Sequence, residues 1–229
     1  MKTIGVLGGL GPQATMDFEA RVHEVSQRLI PQHFNAGYPP MIVHYCRYPP
    51  IRLNDDGTPV LPMQPDPRLL RAAQRLATMC DFLVITSNTP HILQKEIERT
   101  AGRKVLSMID LVISEMLSRR WKNVGVLGFG YPHAYAGPFS KVSIAMELAR
   151  DEIRSKLDEA VRKVMEGRND AECRHVAQLA VNDLRSRNVD GIVLGCTEIP
   201  LMLGDSSEAY HLINPMQLLA KAAVEFAMR

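Results

Sequence analysis

Two short polar segments of this sequence combine residue types that can bind a carboxylate and move a proton. Ser87-Asn88-Thr89 follows one apolar run, and Cys196-Thr197-Glu198 follows another. Hydroxyl groups, the Asn88 amide and loop N–H groups donate hydrogen bonds to a carboxylate without bringing in a competing charge. A cysteine thiol, whose unperturbed pKa is about 8.5, can be shifted toward neutrality by a helix N-terminus, as a proton carrier requires. We therefore expect both segments to converge on one small acid, with Cys196 and the mirrored Ser87 at the reacting centre.

A glycine-rich loop, Gly8-Gly9-Leu10-Gly11-Pro12, follows the first apolar run. Its glycines would let a ligand approach the backbone of Gly9 and Leu10 at the start of the next helix. The dinucleotide-binding pattern G-x-G-x-x-G requires a third glycine where Ala14 stands. The loop therefore favours a small anion over a dinucleotide, and a tight turn without a ligand role stays open.

Three other residues each allow two interpretations. Arg52 lies in a proline-stiffened segment after the second predicted strand, where it could clamp a second carboxylate or form a solvated ion pair with a nearby aspartate. His91 begins the helix after the Ser87 segment and could orient that loop or only cap the helix. Cys46 follows a strand and could belong to a site or to the core. The four cysteines lack the CxxC spacing of zinc sites and the density of a disulfide scaffold.

The elements that must position these residues alternate between short β-branched runs and longer amphipathic stretches. Such alternation, with continuously apolar strands, predicts an α/β fold whose parallel sheet is covered on both faces. The predicted strands are 3–7, 41–45, 82–86, 105–108, 124–127 and 191–194. The predicted helices are 13–30, 69–79, 111–119, 149–165, 171–187 and 216–228. Residues 142–146 fit a short strand or the start of a helix equally well.

An internal repeat predicts how the chain is organised. Residues 4–12 recur as 124–132, and residues 81–89 recur as 190–198. Two separate matches in the same order predict two pseudo-symmetric α/β domains, residues 1–103 with 209–229 and residues 104–208. The ends of matching strands would then face each other across a cleft, where we expect the active site.

Composition excludes several classes of protein. The 46% of hydrophobic and 23% of charged residues exclude a disordered or fibrous chain. The 27 basic and 25 acidic residues form no long basic run, so we expect neither a nucleic-acid partner nor a membrane-binding patch. We expect no secretory leader, because the apolar run after Met1 is too short for one, and no later stretch reaches about 18 apolar residues. These features predict a cytoplasmic protein with a small-molecule partner.

Three segments together resemble the aspartate/glutamate racemase family, in order and over nearly the whole chain. They are residues 2–15, Ser87-Asn88-Thr89-Pro90-His91 and Gly195-Cys196-Thr197-Glu198. The resemblance implies two Rossmann-like domains facing each other, a homodimer, and an isomerase that removes and returns the Cα proton of a free amino acid without a cofactor. In the family two cysteines flank the substrate, and Cys196 matches the second of them. Asn88 and Thr89 match the carboxylate-binding pair of the family, and Arg52 matches an arginine thought to hold a side-chain carboxylate.

Three departures from the family pattern affect activity and substrate. Ser87 stands where the first cysteine is expected, and a lone hydroxyl is a far poorer base than a thiolate. The segment 128–134, with Phe129 and Tyr131, replaces threonines that usually face the substrate. Met165 stands where aspartate racemases carry a lysine, although neighbouring Lys163 makes that alignment ambiguous. The substrate is therefore not fixed as aspartate.

Three functions fit the sequence. The first is an amino-acid racemase or epimerase with Cys196 as the main acid/base and Ser87 as a weak partner. The second is a single-thiol decarboxylase or isomerase of a small carboxylic acid, the pattern of relatives of arylmalonate decarboxylase. The third is a catalytically silent homologue that only binds a carboxylate.

Overall fold

A computed structural model describes residues 1–34, 36–56, 58–130 and 132–229. The chain packs into two units, Met1–Met108 with Met216–Arg229, and Ile109–Pro215. In chain order the helices and strands are β1 (Ile4–Gly8), α1 (Pro12–Leu29), β2 (Met41–Tyr45), α2 (Pro67–Ala77), β3 (Phe82–Ile85), α3 (Gln94–Ala101), α4 (Met108–Ser118), β4 (Asn123–Leu127), α5 (His133–Lys141), β5 (Ala145–Glu147), α6 (Asp151–Met165), α7 (Ala171–Arg185), β6 (Gly191–Leu194), α8 (Ile199–Leu203), β7 (Leu212–Ile213) and α9 (Pro215–Ala227). No helix within the described ranges has the length and apolarity needed to cross a bilayer.

The first unit is built around a parallel sheet in the order β2-β1-β3. Every residue of β1 and β3 is buried, which explains their continuously apolar sequences. The start of α2 is fixed by Pro67 in its first turn and by Asp66, whose side chain accepts a hydrogen bond from the Arg68 N–H. Because the three strands are parallel, the loops that follow them leave from one edge of this sheet.

The second unit is built around a parallel sheet in the order β5-β4-β6-β7. Helices α6 and α7 contribute many of the apolar side chains that cover this sheet, together with Leu194 of β6 and Ile199 of α8. Cys196 belongs to the same buried cluster and lies just beyond the end of β6. The catalytic candidate of this unit is therefore anchored in its core.

The two sheets confirm the expected α/β fold with parallel strands, and they explain the sequence repeat. β1 is flanked by β2 and β3, as β4 is flanked by β5 and β6. The repeated segments 4–12 and 124–132 contain β1 and β4, and 81–89 and 190–198 contain β3 and β6. Ser87 and Cys196 therefore follow equivalent strands of the two units.

The structure differs from the predicted elements in several places. The predicted strand 105–108 is reduced to one bridge, between Leu83 and Val105, because α4 already begins at Met108. The undecided segment 142–146 contributes the start of β5, and the short strand β7 was not predicted. The helix expected to begin at His91 begins as α3 at Gln94, because His91 lies in a 3₁₀ turn, and helices α5 and α8 were not predicted. Gly137 and Pro138 obscure the pattern of α5, which is stabilised by the edge-on packing of Tyr135 and Phe139, with ring centroids 5.4 Å apart.

Candidate active site

Cys196 is held in a tight loop directly after β6. Only 7% of the residue is exposed. The preceding Gly195 has little free space, since a Cβ there would lie 3.0 Å from Val126 Cγ1 and 3.1 Å from Tyr135 Cε2. The close packing of these neighbours fixes the position from which the thiol can act.

Glu198 provides a carboxylate within hydrogen-bond distance of the thiol. Its Oε2 accepts hydrogen bonds from Cys196 Sγ at 3.1 Å and from Thr197 Oγ1 at 2.9 Å. Glu198 is only 2% exposed, so this contact is protected from bulk water. The three predicted residues Cys196, Thr197 and Glu198 are therefore brought together, and the carboxylate is placed to accept the thiol proton.

The environment of Cys196 keeps the thiol protonated at neutral pH. Burial and, next, the negative charge of Glu198 raise the pKa of the Cys196 thiol well above its ordinary value. The expectation that a helix N-terminus lowers this pKa toward neutrality was therefore wrong. The following helix, α8, has only five residues, and its effect is outweighed by burial and by a carboxylate in direct contact.

The Glu198→Gln variant should make the Cys196 thiol easier to ionise, because it removes the neighbouring negative charge that raises the pKa of this thiol. We expect several-fold faster alkylation of Cys196 by iodoacetamide at mildly alkaline pH. Mass spectrometry of the labelled peptides measures this rate, with Cys46 of the first unit as the internal reference. Unchanged labelling of Cys196 would show that Glu198 does not control the thiol. Slower labelling would contradict the expected effect of the charge and show that Glu198 promotes ionisation of the thiol as its base.

The Ser87 segment links the end of β3 to a 3₁₀ turn, Thr89–Leu93. Ser87 is half-buried, Thr89 is exposed, and Asn88 is buried at the start of the turn. His91 is buried and its Nε2 lies 3.4 Å from the Ile85 carbonyl oxygen, while Nδ1 lies 3.5 Å from Gln94 Oε1. These contacts favour the first interpretation of His91, in which it orients the loop.

Two buried threonines tie the glycine-rich loop to the end of β3. The Gly9 N–H donates to Thr15 Oγ1 at 2.8 Å, and Thr15 Oγ1 lies 3.1 Å from the Gly11 carbonyl and 2.8 Å from Thr86 Oγ1. If the Thr15 hydroxyl donates to Gly11, the Thr86 hydroxyl donates to Thr15 and every group is satisfied. The Gly9 N–H is thus used within the protein, which narrows the predicted role of Gly9 to shaping the loop. Leu10 packs partly buried against the core of this unit.

Alanine at Gly9 should destabilise the first unit. Gly9 has φ +74°, and a Cβ would lie 2.7 Å from both the Cys46 nitrogen and Tyr45 Cα, which are backbone atoms that cannot rotate away. We expect the free energy of unfolding in urea to fall by about 2–4 kcal/mol. Gly102→Ala is the matched control, because φ is +63° there with open space around it, and should cost about 1 kcal/mol. Equal losses in the two variants would show that the close approach at Gly9 is unimportant.

Arg52 lies on an arm that follows β2. Its Nη1 donates to Gln64 Oε1 at 3.0 Å, rather than to the neighbouring aspartates considered above. Arg52 lines a pocket with Arg68 and Arg71, and none of the described lining residues belongs to the Ser87 segment or the glycine-rich loop.

The remaining candidates contribute less to the site. Cys46 is fully buried, and burial raises the pKa of its thiol, which favours a core role. Phe129 is partly exposed beneath the Arg162 guanidinium, 5.2 Å from the ring centroid, and Tyr131 lies outside the described residues. Lys163 Nζ is 2.7 Å from Glu172 Oε2. Among the described residues no group of His, Cys, Asp and Glu side chains is arranged to hold a metal ion.

Sequence reasoning missed Thr15, Thr86 and Tyr135. The two threonines are fully buried, and Tyr135 packs against the loop that carries Cys196. Thr15 stands on the buried face of α1, where a hydroxyl needs a partner, and this was the one signal available in the sequence.

Comparisons with known proteins agree on one family. A family model described as Asp/Glu/Hydantoin racemase matches residues 7–223. The broad specificity amino-acid racemase RacX of Bacillus subtilis is 23% identical over 225 residues, which cover 96% of each chain. An aspartate racemase homologue from Pyrococcus horikoshii has a TM-score of 0.78 at 22% identity, with all of both chains covered. An aspartate racemase from Picrophilus torridus has a TM-score of 0.72 at 22% identity, covering 100% of this chain and 95% of its own. The structural likenesses show a shared fold.

Proposed function

Because this chain belongs to the Asp/Glu/hydantoin racemase family and is an isomerase of that kind, we propose that it inverts the Cα centre of a free amino acid without a cofactor. In this proposal Cys196 is the main acid/base and Ser87 is its weaker partner. A homodimer acting in the cytoplasm is proposed on the same family resemblance.

The contact between Cys196 and Glu198 carries the proposal. A protonated thiol can donate a proton, and it becomes a base only after it loses its own. The Glu198 carboxylate, 3.1 Å away, can take the thiol proton and leave a thiolate. The thiolate then accepts the Cα proton, and the electron pair of the broken C–H bond stays on the substrate as a planar carbanion. The Ser87 hydroxyl protonates the carbanion on the opposite face and regains a proton from water. Glu198 releases its proton to water, so the protons balance over one turnover.

The carboxylate of the substrate needs hydrogen-bond donors. The hydroxyl of Thr89, which is exposed, and the amide and backbone of Asn88 are the donor types that the Ser87 segment offers. The Thr197 hydroxyl donates to Glu198, so it is left with acceptor capacity, which suits the substrate ammonium group. We propose that these residues bind one substrate, with the carboxylate at Asn88 and Thr89 and the ammonium group at Thr197.

Ser87 would serve the face of Cα opposite to Cys196. A hydroxyl can protonate a strongly basic carbanion, but it accepts a proton poorly when no neighbour activates it. A weak Ser87 should therefore slow inversion in both directions, because two enantiomers are equally stable and both directions must then have the same rate at low substrate concentration. The proposal requires the two loops to contact the same substrate molecule.

Incubation with L- and D-amino acids in D2O tests the proposal. Proton NMR follows loss of the Cα signal, and chiral chromatography follows inversion. Exchange with inversion of at least one amino acid is the expected result. Exchange or CO2 release without inversion would instead indicate a single-thiol isomerase or decarboxylase, and saturable binding without exchange would indicate a silent carboxylate-binding protein.

A further inference from the structure

The arm that follows β2 and the first two turns of α2 line an open pocket of about 540 Å³ in the first unit. Its walls include three exposed arginines, Arg52, Arg68 and Arg71, and one carboxylate, Asp66. We call this the arginine pocket. Three guanidinium groups against one carboxylate leave an excess of two positive charges, and a concave surface of one charge raises the local concentration of ions of the opposite charge.

Two of the arginines are held in place by the protein. Arg68 donates from Nε and Nη2 to the two oxygens of Asp66, at 3.0 and 2.7 Å, and its guanidinium lies 4.7 Å from the centroid of the Tyr48 ring. Arg52 is held by Gln64 through both its backbone N–H and its Nη1. Each fixed guanidinium keeps further N–H donors, so little conformational entropy is lost when a ligand binds to them.

Arg71 supplies the unbalanced charge. It lies five residues after Asp66, and its charge adds to the hydrogen bonds from Arg68 that lower the pKa of the Asp66 carboxyl. Asp66 nevertheless gives both oxygens to Arg68, and the described residues include no ion pair for Arg71. An anion that enters the pocket would meet Arg71 without displacing an existing partner.

We propose that the arginine pocket is a binding site for a small anion with two negative charges, either a phosphate group or a dicarboxylate. Guanidinium groups bind the paired oxygens of phosphate and carboxylate through two parallel hydrogen bonds, and charge-assisted bonds of this kind are the strongest that side chains offer. Arg52 is also the residue that the family resemblance matches to an arginine for a substrate side-chain carboxylate. The proposal rests instead on Arg68 and Arg71 beside it, and none of the described lining residues belongs to the Cys196 or Ser87 segments.

Isothermal titration calorimetry of the full chain with inorganic phosphate and, separately, with succinate tests the site at constant ionic strength. We expect saturable binding of at least one dianion. The dianion that binds shows whether the pocket takes a phosphate group or a dicarboxylate. Arg71→Gln should weaken that binding about tenfold, the effect of losing one charge-assisted hydrogen bond. Arg75→Gln removes the same charge one turn further along α2, outside the pocket, and should change the affinity less than about twofold.

Urea unfolding separates loss of binding from loss of folding. Arg71 is exposed, so Arg71→Gln should unfold at the native urea concentration while its affinity for the dianion falls. The proposal is overturned if neither dianion binds saturably, or if Arg71→Gln and Arg75→Gln weaken binding equally.

Discussion

Replacing Cys196 with alanine is expected to slow Cα proton exchange by about a thousandfold or more. The variant removes the group that carries the proton, and general acid–base groups contribute factors of about 10²–10⁴. Glu198 remains in the variant. The thiol that lies 3.1 Å from its Oε2 in the native protein, and that would carry the Cα proton, is absent. Loss of the Cα signal in D2O measures the exchange for whichever amino acid the native protein exchanges fastest.

Substrate binding by the Cys196→Ala variant should change by less than about threefold, because the proposed donors at Asn88 and Thr89 remain. Cys173→Ala is the matched control, since Cys173 is a fully buried cysteine of the same core cluster, placed within α7. This control should exchange at the native rate. Native exchange in the Cys196→Ala variant would exclude the thiol as the proton carrier.

Removing the Ser87 hydroxyl should separate exchange from inversion. In Ser87→Ala, the enantiomer whose Cα–H bond faces Cys196 should still exchange its proton with D2O, because the thiol can remove and return a proton on the same face. The opposite face then has no donor, so inversion should fall about a hundredfold. Parallel NMR and chiral chromatography on the same samples measure both rates.

Ser87→Cys should act in the opposite direction to Ser87→Ala. A thiol ionises far more readily than a hydroxyl, so the variant should invert its substrate faster than the native protein. Inversion at the native rate in both Ser87 variants would show that this position does not serve the substrate.

Much of the fold could be predicted because its signals are local. The buried strands β1, β3, β4 and β6 are continuously apolar and end in polar or glycine-rich segments, so both the strands and the candidate residues after them could be located. Helix α5 could not, because its Gly137 and Pro138 oppose helix formation and it is stabilised by buried aromatic packing that a local pattern does not contain.

The chemistry of the site was less predictable because it depends on side-chain direction and burial. Cys196 and Glu198 are two residues apart in sequence. That spacing does not predict that the Glu198 carboxylate accepts a hydrogen bond from the Cys196 thiol. The resulting pKa shift of Cys196 is opposite in direction to the one expected from a helix N-terminus. The link from Gly9 through Thr15 to Thr86 spans 77 residues of sequence and forms only when β1 and β3 pair.

A crystal structure with a bound amino acid would test the central claim most directly, namely that Cys196 and Ser87 act on one substrate. The account predicts Cys196 Sγ and Ser87 Oγ on opposite faces of the substrate Cα, each within about 3.5 Å of it, the separation from which proton transfer proceeds. A substrate that contacts only one of the two side chains, or that has both on the same face, would contradict it.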